Sequence, residues 1–408
     1  MKKVCTGNEA AAYAVLLSQP DVICAYPITP QSRIPEMLAE FNAKGLLKGK
    51  LVNTESEMGA ISYILGASAA GVRVFTATSS QGLAWMHEGL HYISGSHLPA
   101  VMVNVNRPLA APWNLTCDQS DSLAQRDTGW MQYYCESNQE VLDTVIQAYK
   151  VSESIGLPSM VCMDGVYLSY VSESVDIPDQ NKVDRYIPPY RPSFRIPGRS
   201  FKLYERDSPE AGGYKIGGWD PLISLMREKY ELHKLESRCL DAFTGANEEY
   251  RQLFGRGYLP VEEFRCSDAE LVLVMAGSSV GTGKYVVNAL RERGRKVGLV
   301  KLKMFRPFPG ELIKRALSGK TRIVVIERDI SPGQCGIFFQ ELKWALQGVP
   351  GKIYGFVSGL GGADITPALI EKAVTFAANN EPQDNAIWLG LNKAGPDDDY
   401  DRNTIKIS

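Results

Sequence analysis

The sequence lacks most of the patterns that mark metalloproteins. Eight cysteines are scattered through 408 residues, and no two have the C-x-x-C spacing of a zinc ribbon, an iron–sulfur site or a redox dithiol. Only four histidines are present. His87 and His91 stand four apart on a predicted helix, which is metal-ligand spacing, but no third ligand is near, so a polar helix face is the simpler interpretation. We therefore expect no metal centre in this chain itself.

Charge and hydropathy argue against two further classes. The 44 basic and 46 acidic side chains give a formal net charge of -2, without the excess of basic residues that nucleic-acid binding favours. No apolar run approaches the roughly 20 residues that span a bilayer. The N-terminal segment MKKVCTGNEAAAYAVLL is similar to the start of a signal peptide, but Asn8 and Glu9 interrupt its apolar stretch and no small-residue cleavage site follows. The sequence predicts a cytoplasmic protein that binds neither nucleic acid nor membrane.

Apolar runs alternate with helical periodicity in two regions. In the first region, strands are predicted at 22–26, 72–76, 100–105 and 159–163, with helices at 8–18, 57–70, 81–95 and 138–153. In the second, strands are predicted at 270–276, 296–302, 322–327 and 352–357, with helices at 282–293, 309–317, 335–346 and 366–378. This alternation is typical of α/β domains with parallel strands and helices on both faces, and the short connections favour a doubly wound sheet.

Composition suggests where these regions begin and end. From about Val175 the periodicity is lost, and the segment VDIPDQNKVDRYIPPYRPSFRIPGRS contains five prolines, which predicts an extended arm. A helix is predicted from about Pro221 to Phe254, and a polar tail follows Asn380. The tail is either disordered or wrapped on a partner. We expect a domain at 1–175, an arm and helix at 176–260, a second domain at 261–380 and a tail at 381–408.

Two glycine-rich turns suggest a nucleotide site, but neither meets its requirements. In AGSSVGTGKY at 276–285, serine and tyrosine stand where a phosphate-binding loop needs its first glycine and its final Ser or Thr. The turn also lacks the third glycine and the acid of a dinucleotide fingerprint, and GLGGAD at 359–364 fails the same tests. A plain turn is the simpler interpretation, although a helix N-terminus can attract an anion. A nucleotide-dependent dehydrogenase using residues 277–283 is kept as an alternative that NADH binding would support.

Two carboxylates, Glu55 and Glu57, stand at the start of a predicted helix within VNTESEMGAISYILGASAAG at 52–71. Acids in a first helical turn commonly just complement the helix dipole, worth about 0.3–1 kcal/mol. The small residues on all sides of this helix indicate close packing, and a carboxylate buried there could hold or exchange a proton. Periodicity leaves both interpretations open.

Polar side chains also follow the other predicted strands of the first region. Those at or just past a strand end are Thr29, Glu57, Thr78, Ser79 and Arg107. The carboxyl ends of parallel strands form the edge at which open α/β sheets bind ligands, so we expect these residues to meet there. An arginine at that edge can bind a planar carboxylate through two parallel hydrogen bonds.

Five motifs in this order and spacing carry a family resemblance: AYPITPQS, TESEMGA, TATSSQGLAWMHE, VNVNRPLAAPW and QRDTGWMQYY. With KMFRPFP, VIERD and GLGGADIT in the second region, nearly the whole chain resembles the α subunit of 2-oxoacid:ferredoxin oxidoreductases, especially pyruvate synthase. The resemblance implies a pyrimidine-type thiamine-diphosphate domain followed by a transketolase C-terminal-like domain. It also implies oxidative decarboxylation of a 2-oxo acid to an acyl-CoA and carbon dioxide, with coenzyme A as co-substrate.

The same resemblance implies that the chain acts only with partner subunits. A β subunit would carry the diphosphate half of the thiamine-diphosphate site with its Mg²⁺. Subunits of the γ and δ type would carry [4Fe-4S] clusters that pass electrons to ferredoxin or a similar acceptor. The missing C-x-x-C pairs and the failed phosphate loops agree with this division. The alternative from another class is a non-catalytic assembly subunit that has kept the fold.

The roles of individual residues follow from the resemblance. Glu57 matches the family's cofactor-activating glutamate, which hydrogen-bonds the aminopyrimidine ring. Thr29 matches a threonine that faces the substrate, and Arg107 matches an arginine that receives the substrate carboxylate. The residues that match the loop near the pyrimidine ring are Thr78, Ser79 and Gln81.

One departure from the family concerns the choice of substrate. After the Pro-Trp pair at 112–113, pyruvate enzymes of the family tend to carry Ile-Trp and then Asp-His, where this chain has NLTCDQ with Thr116, Cys117 and Gln119. We expect this segment to line the substrate side. Pyruvate is the first expectation, with phenylglyoxylate, a branched-chain 2-oxo acid or oxalate as alternatives. Against oxalate, the first loop carries Thr29 where a second cation would be needed.

Overall fold

A computed structural model of the chain describes residues 1–191, 221–391 and 404–405. These residues form an α/β protein with two seven-stranded sheets and a separate two-stranded one. The α/β class predicted from the alternating pattern is therefore confirmed. Residues 192–220 of the expected arm, and residues 392–403 and 406–408 of the expected tail, lie outside the described residues.

The strands and helices follow one another in the alternation expected of an α/β chain. The strands are β1 (Lys2–Thr6), β2 (Val22–Cys24), β3 (Lys50–Val52), β4 (Val74–Thr78), β5 (Val101–Asn106), β6 (Met131–Tyr134), β7 (Ser159–Asp164), β8 (Ser172–Asp176), β9 (Val261–Phe264), β10 (Leu271–Met275), β11 (Val297–Leu302), β12 (Met304–Arg306), β13 (Arg322–Glu327), β14 (Lys352–Val357), β15 (Ile387–Leu389) and β16 (Thr404–Ile405). The helices are α1 (Gly7–Ser18), α2 (Arg33–Ala43), α3 (Glu57–Ala69), α4 (Ser80–Trp85), α5 (His87–Gly95), α6 (Ser120–Leu123), α7 (Asn138–Ile155), α8 (Gln180–Tyr186), α9 (Pro221–Phe254), α10 (Ser279–Glu292), α11 (Gly310–Leu317), α12 (Ile337–Ala345) and α13 (Pro367–Asn379), and a 3₁₀ turn spans Leu360–Gly362.

The first sheet has the strand order β12-β6-β7-β5-β4-β2-β3, and its strands pair in parallel except at β12. Side chains of its central strands alternate between two cores. Val103 and Val161 belong to the core that holds α1 and α7, whereas Met102 and Cys162 belong to the core on the other face. Burial on both faces explains why these strands read as continuous apolar runs.

The second sheet has the order β16-β15-β14-β13-β10-β11-β9 and is parallel except at β9. One of its faces packs against α10 and α13, and Leu273 and Val324 lie in that core. Its other face, with Val272 and Val325, lies in the same core as Met102 of the first sheet. The two sheets are therefore joined through a shared apolar core.

Short elements account for the differences from the predicted pattern. The chain begins with β1, which pairs antiparallel with β8, and residues 180–186 of the expected extended arm form α8. Helix α8 is stabilised by a tertiary contact, since its buried Tyr186 donates from its hydroxyl to the Ala246 carbonyl of α9 (2.8 Å). The helix predicted at 81–95 is two helices, α4 and α5, that meet at Met86. No helix among the described residues is both long and apolar enough to cross a membrane.

Candidate functional site

The topology brings the predicted site residues to one edge of the first sheet. β5, β4 and β2 are parallel neighbours, so their carboxyl ends lie side by side. Arg107 directly follows β5, Thr78 ends β4, Ser79 precedes α4, and Thr29 lies in the loop after β2. Glu57 is the first residue of α3, whose N-terminus is capped by the Ser56 side chain. The hydrogen bonds and close approaches described below join most of these residues to one another.

Arg107 lies at the centre of this edge and is only 1% exposed. Its Nε donates to the Asn114 carbonyl (2.9 Å), its Nη1 to the Thr29 carbonyl (2.7 Å) and its Nη2 to Gln81 Oε1 (3.2 Å). The Trp113 ring lies 5.5 Å from the guanidinium carbon, within the range of a cation–π contact. A guanidinium carries five N–H groups, so one on each terminal nitrogen has no partner among the described residues. An arginine can bind a carboxylate through one donor on each of its terminal nitrogens.

Thr29 contributes its carbonyl to the arginine and leaves its hydroxyl without a partner in the described part of the chain. Its loop is fixed from behind by two buried amides. Gln31 Nε2 donates to the Ala77 carbonyl of β4 (3.0 Å), and Asn8 Nδ2 donates to the Pro30 carbonyl (2.8 Å). The exposed hydroxyl of Thr29 is therefore presented on a well-held backbone. Gln31 and Asn8 are not predicted from the sequence, because only their tertiary partners distinguish them from other amides.

Glu55 and Glu57 differ in their surroundings, and this difference decides between the two interpretations of the pair. Glu55 is exposed, whereas Glu57 is only 5% exposed. Ser56 Oγ donates to Glu55 Oε1 (3.2 Å). The Glu57 carboxylate has no hydrogen-bond or ion-pair partner among the described residues. A buried carboxylate normally has such partners, so this one is available to a ligand.

Gly82 allows α4 to approach this carboxylate closely. A Cβ at position 82 would lie 2.5 Å from Glu57 Oε1 and 2.7 Å from Thr78 Oγ1, which no side chain could tolerate without displacement. The Thr78 and Ser79 hydroxyls are buried and have no hydrogen-bond partner within the described residues. Three polar groups with unused hydrogen-bonding capacity therefore lie near the start of α4.

Asp121 is a buried residue of the site that the sequence does not predict. Its Oδ2 accepts from the Ser80 backbone N–H (2.9 Å), Asn104 Nδ2 (3.0 Å) and the Arg107 backbone N–H (3.2 Å). Its Oδ1 accepts from Asn106 Nδ2 (2.8 Å) and from the next residue's N–H. One carboxylate thus joins the end of β5 to the start of α4. In the sequence it is one acid in a polar loop, and no local pattern sets it apart.

The electrostatics of Asp121 and Arg107 are set largely by burial. Burial raises the pKa of Asp121 to about 6, against the opposing effect of its hydrogen bonds, so the group is ionised at neutral pH. Burial also lowers the pKa of Arg107, and the Asp121 charge partly offsets that change. Ser80 has a left-handed backbone (φ +51°), which its N–H bond to Asp121 and its hydroxyl bond to the Pro108 carbonyl hold in place.

The glycine turn at 276–285 packs against the first domain. Ser278 donates from its N–H (3.0 Å) and its hydroxyl (2.6 Å) to Asp164 Oδ2. A protein carboxylate therefore lies at the start of α10, where a bound phosphate would have to be. A Cβ at Gly277 would lie 2.7 Å from Gln119 Nε2, so the turn is closely packed as well. This arrangement argues against a nucleotide site at 277–283.

The segment that departs from the family pattern contacts the second domain. The Thr116 hydroxyl donates to the Gly361 carbonyl. The Cys117 carbonyl accepts from the Gly362 N–H, and the Gln119 N–H donates to the Arg328 carbonyl. Arg107 is contacted instead by Asn114, the first residue of this segment, and by Trp113 just before it. The predicted substrate-side segment thus reaches the site through its first residues, and its later residues fasten it to the second domain.

The histidines and cysteines form no metal site in the described residues. His87 Nδ1 lies 2.5 Å from Gln125 Oε1, and its ring meets that of His91 edge to face. Within the described ranges, no three His, Cys, Asp or Glu side chains are placed to hold a metal ion. All eight cysteines are free and buried.

Two family models match the chain. The model described as "Pyruvate flavodoxin/ferredoxin oxidoreductase, thiamine diP-bdg" matches residues 13–213, and "Pyruvate:ferredoxin oxidoreductase core domain II" matches residues 269–370. The chain is 44% identical over 391 residues to pyruvate synthase subunit PorA of Methanothermobacter thermautotrophicus, covering 95% of this chain and 98% of that protein. It is 43% identical over 369 residues to ketoisovalerate oxidoreductase subunit VorA of Pyrococcus horikoshii, covering 90% and 91%.

Two solved structures share the fold at low sequence identity. The 2-oxoglutarate:ferredoxin oxidoreductase of Magnetococcus marinus superposes with a TM-score of 0.66 at 20% identity, over 92% of this chain and 65% of that one. A split-gene transketolase superposes with a TM-score of 0.55 at 12% identity, over 92% of this chain and 98% of that one. Both confirm the predicted fold class.

Proposed function

The chain belongs to the pyruvate flavodoxin/ferredoxin oxidoreductase family, and from this premise we propose that it is the α subunit of a multi-subunit 2-oxoacid:ferredoxin oxidoreductase acting on pyruvate. The reaction is the oxidative decarboxylation of the 2-oxo acid with coenzyme A to an acyl-CoA and carbon dioxide. One observation carries the proposal. A buried carboxylate without a protein partner and an arginine with two unused N–H groups lie at the same edge of the sheet.

The residues around Gly82 fit the pyrimidine side of thiamine diphosphate. When bound, this cofactor supplies the nucleophilic carbon and takes up the electrons of decarboxylation. Glu57 would accept a hydrogen bond from the pyrimidine ring and thereby favour the tautomer that can remove a proton. The fit is supported by the unpartnered Glu57 carboxylate and by the buried, unpaired hydroxyls of Thr78 and Ser79. Gln81 is assigned to the same loop.

Arg107 and Thr29 are assigned to the substrate. The two unused N–H groups of Arg107 would receive the substrate carboxylate, and the Thr29 hydroxyl would face its carbonyl or carboxylate. Since that carboxylate leaves as neutral carbon dioxide, the arginine must bind it without stabilising it more than the transition state. Two carbonyls and one amide oxygen already accept hydrogen bonds from the guanidinium, and these bonds reduce the strength with which it would bind the substrate carboxylate.

We infer that partner subunits complete the enzyme, since the two relatives compared here are named as subunits. A β subunit would hold the diphosphate and its Mg²⁺, and γ- and δ-type subunits would hold [4Fe-4S] clusters that reduce ferredoxin or a similar acceptor. The eight buried free thiols suit a reducing cytoplasm, which is the location we propose.

A branched-chain 2-oxo acid is the second candidate substrate. The ketoisovalerate oxidoreductase subunit is almost as similar to this chain (43%) as the pyruvate synthase subunit (44%). Overall identity therefore does not separate the two substrates. Phenylglyoxylate and oxalate remain as comparison substrates for the test.

The test uses the complex purified without oxygen through a tag on this chain. With thiamine diphosphate and coenzyme A present, viologen reduction is compared for pyruvate, 2-oxoisovalerate, 2-oxoglutarate, phenylglyoxylate and oxalate. We expect pyruvate to give the highest kcat/KM, and Glu57→Gln to lower it by about 100-fold or more, because an essential proton-holding group is lost. Glu55→Gln, on the exposed neighbour, is the matched control and should leave the rate nearly unchanged.

The same experiment separates the alternatives. A higher kcat/KM with 2-oxoisovalerate would replace pyruvate by the branched-chain substrate. Full activity in Glu57→Gln would contradict the assignment of Glu57 and favour the assembly subunit. Failure of every 2-oxo acid, with all partners and clusters present, would contradict the proposed reaction.

A further inference from the structure

Asn114 links the substrate arginine to the second domain. Its carbonyl accepts from Arg107 Nε (2.9 Å), and its side-chain Nδ2 donates to the Gly361 carbonyl (3.2 Å). Its Oδ1 accepts from the Thr116 backbone N–H (2.7 Å). A backbone N–H can only donate, so this contact fixes which end of the amide faces Gly361. Both ends of the Asn114 side chain are therefore used, and its backbone is directed at the arginine.

The turn that receives Asn114 requires glycine. Gly361 and Gly362 have φ values of +60° and +77°, in the left-handed region that other residues rarely adopt. A Cβ on Gly361 would lie 2.9 Å from Asn114 Nδ2, and one on Gly362 would overlap the Thr116 side chain. The N–H of Gly362 also donates to the Cys117 carbonyl (2.7 Å). The glycines of GLGGAD thus allow a close backbone contact between the two domains.

Contacts on its other side hold this turn in place. The Tyr167 hydroxyl lies 2.8 Å from the Gly362 carbonyl and 2.7 Å from Asp364 Oδ1. Arg328 Nη1 donates to the Gly359 carbonyl (3.3 Å), and its guanidinium lies over the Tyr167 ring. The turn is therefore a fixed support for Asn114.

The direction of the Arg107 fork depends on this support. The Asn114 carbonyl accepts from Nε, while the Thr29 carbonyl and Gln81 Oε1 accept from the two terminal nitrogens, so Asn114 supplies one of three acceptors that fix the guanidinium. If the Asn114 carbonyl moves away, the guanidinium can turn, and its two unused N–H groups no longer point in a fixed direction. Two hydrogen bonds to a carboxylate form only when both donors lie in its plane, so such turning weakens substrate binding.

We propose that Asn114 is a positioning residue for substrate binding, and that the Gly359–Gly362 turn acts through it to orient Arg107 toward the carboxylate of the 2-oxo acid. The inference rests on the proposed function. It gives the second domain a part in substrate binding, and it assigns a role to a glycine motif that matches no nucleotide fingerprint. It also explains how the departing segment influences the substrate: Cys117 and Gln119 fasten the segment, and Asn114 makes the contact.

The test compares Asn114→Ala and Gly361→Ala in the purified complex. We expect each to raise the KM for the 2-oxo acid roughly ten- to a hundredfold, the size expected for a lost hydrogen bond to a charged group, with a smaller change in kcat. The two substitutions break one linkage, so the double variant should raise KM no further than the stronger single variant. The control is Gly319→Ala, because Gly319 has the same left-handed backbone (φ +74°) but no atom within 4 Å of an added Cβ. It should leave KM unchanged.

Two further measurements separate this inference from its premise. Hydrogen–deuterium exchange of residues 108–118 should rise in Asn114→Ala and Gly361→Ala and stay at the wild-type level in Gly319→Ala, whether or not a substrate is known. The affinity for thiamine diphosphate should stay constant in all three variants. If the wild-type complex is active and KM is unchanged in both test variants, the positioning role is wrong while the proposed function stands. If the wild-type complex uses no 2-oxo acid, the proposed function fails, and unchanged exchange would then overturn the linkage as well.

Discussion

At the scale of single residues, Asp121 organises the site. Its carboxylate accepts five hydrogen bonds: two from β5, one each from the backbone N–H groups of Ser80 and Arg107, and one from the N–H of the following Ser122. All five partners are donors, so the group has to be an ionised carboxylate, which is acceptor-only. The backbone of Arg107, the residue proposed to bind the substrate carboxylate, is thus held by a buried acid.

Replacing this acid by its amide tests that role. In Asp121→Asn, an NH₂ group at the Oδ2 position would face the N–H groups of Ser80 and Arg107, and one at the Oδ1 position would face Asn106 Nδ2 and the Ser122 N–H, so either orientation leaves buried donors without an acceptor. We expect kcat/KM for the 2-oxo acid to fall about tenfold or more, since an unsatisfied buried donor costs about 1–3 kcal/mol. Asp118→Asn is the control: that carboxylate is also buried but accepts only from Ser120. Equal losses in both variants would contradict the special position of Asp121.

The ionisation of Asp121 also predicts how kcat/KM depends on pH. Its pKa is raised to about 6, so the carboxylate is ionised above that pH and matches its five donors. As the pH falls through about 6, the added proton meets a donor and the arrangement is disturbed. We therefore expect the kcat/KM of the wild-type complex to decline below about pH 6, and this limb of the profile to be absent in Asp121→Asn. A wild-type profile that is flat down to pH 5 would count against this role.

At the scale of elements, the approach of α4 to α3 brings together the groups that are proposed to bind the cofactor. α4 begins directly after β4, and Gly82 in its first turn lies against the Glu57 side chain at the start of α3. The missing side chain at position 82 is what lets the two helix starts come this close. We therefore expect the position of the Glu57 carboxylate to depend on the absence of a side chain at Gly82.

Filling the gap should disturb the carboxylate directly. In Gly82→Ala the new methyl group would lie 2.5 Å from Glu57 Oε1, so the side chain has to move. We expect a thiamine-diphosphate affinity about tenfold weaker and an overpacking cost of about 1–3 kcal/mol in stability. Gly66→Ala is the control, because an added Cβ in α3 meets nothing within 4 Å there. Alanine favours a helix interior, so that variant should keep its affinity and be no less stable. Equal affinities in the two variants would argue against a close-packed Glu57.

The burial of each strand explains whether that strand could be predicted from the sequence. The central strands β4, β5 and β7 are buried on both faces, so their apolar runs are visible. β6 is not predicted, because its MQYY sequence buries Gln132 and Tyr134, whose hydrogen-bond partner Ser122 lies in α6, and Tyr133, whose ring stacks on Phe243 of α9. The residues of the site differ in the same way. The position of Arg107 could be predicted since it directly follows a strand, whereas the positions of Asp121 and Asn114 depend on contacts with other elements.

At the scale of the whole molecule, turns that follow strands of the second sheet contact the edge of the first sheet that holds the proposed site. Three of these strand-end turns contact residues of the first sheet's region: Ser278 binds Asp164, the Arg328 carbonyl accepts from the Gln119 N–H, and the Gly361 carbonyl accepts from Asn114. The carboxyl edge of a parallel sheet is ordinarily where ligands bind. Here these turns serve as supports, which is why the second domain shows glycine turns with no nucleotide fingerprint.

A buried ion cluster also fastens the two domains. Glu140 of α7 lies 2.6 Å from Lys303 Nζ and 2.9 Å from Lys301 Nζ, and both lysines follow or end β11. Burial alone would raise the pKa of Glu140, but the charges of Lys303 and Lys301 lower it to about 2. Because this value lies below the ordinary 4.5, the cluster stabilises the fold fully above about pH 4.5. That stabilisation, on the order of 3 kcal/mol, is lost as the pH falls toward 2.

Removing one cation should therefore weaken the contact between the domains. Lys303→Met leaves Glu140 with one lysine and leaves Thr144 Oγ1 without its donor, and breaking such a buried pair costs about 3–5 kcal/mol. We expect the midpoint of thermal unfolding of the complex at neutral pH to fall by several degrees. Lys296→Met is the control, since Lys296 pairs with Glu270 at the exposed surface of the same sheet (3.1 Å) and such pairs contribute less than about 1 kcal/mol. Because Asn114 is anchored on the second domain, a loosened contact should also raise the KM for the 2-oxo acid in Lys303→Met. Equal midpoints and equal KM values in the two variants would mean that the site does not depend on how the domains are held together.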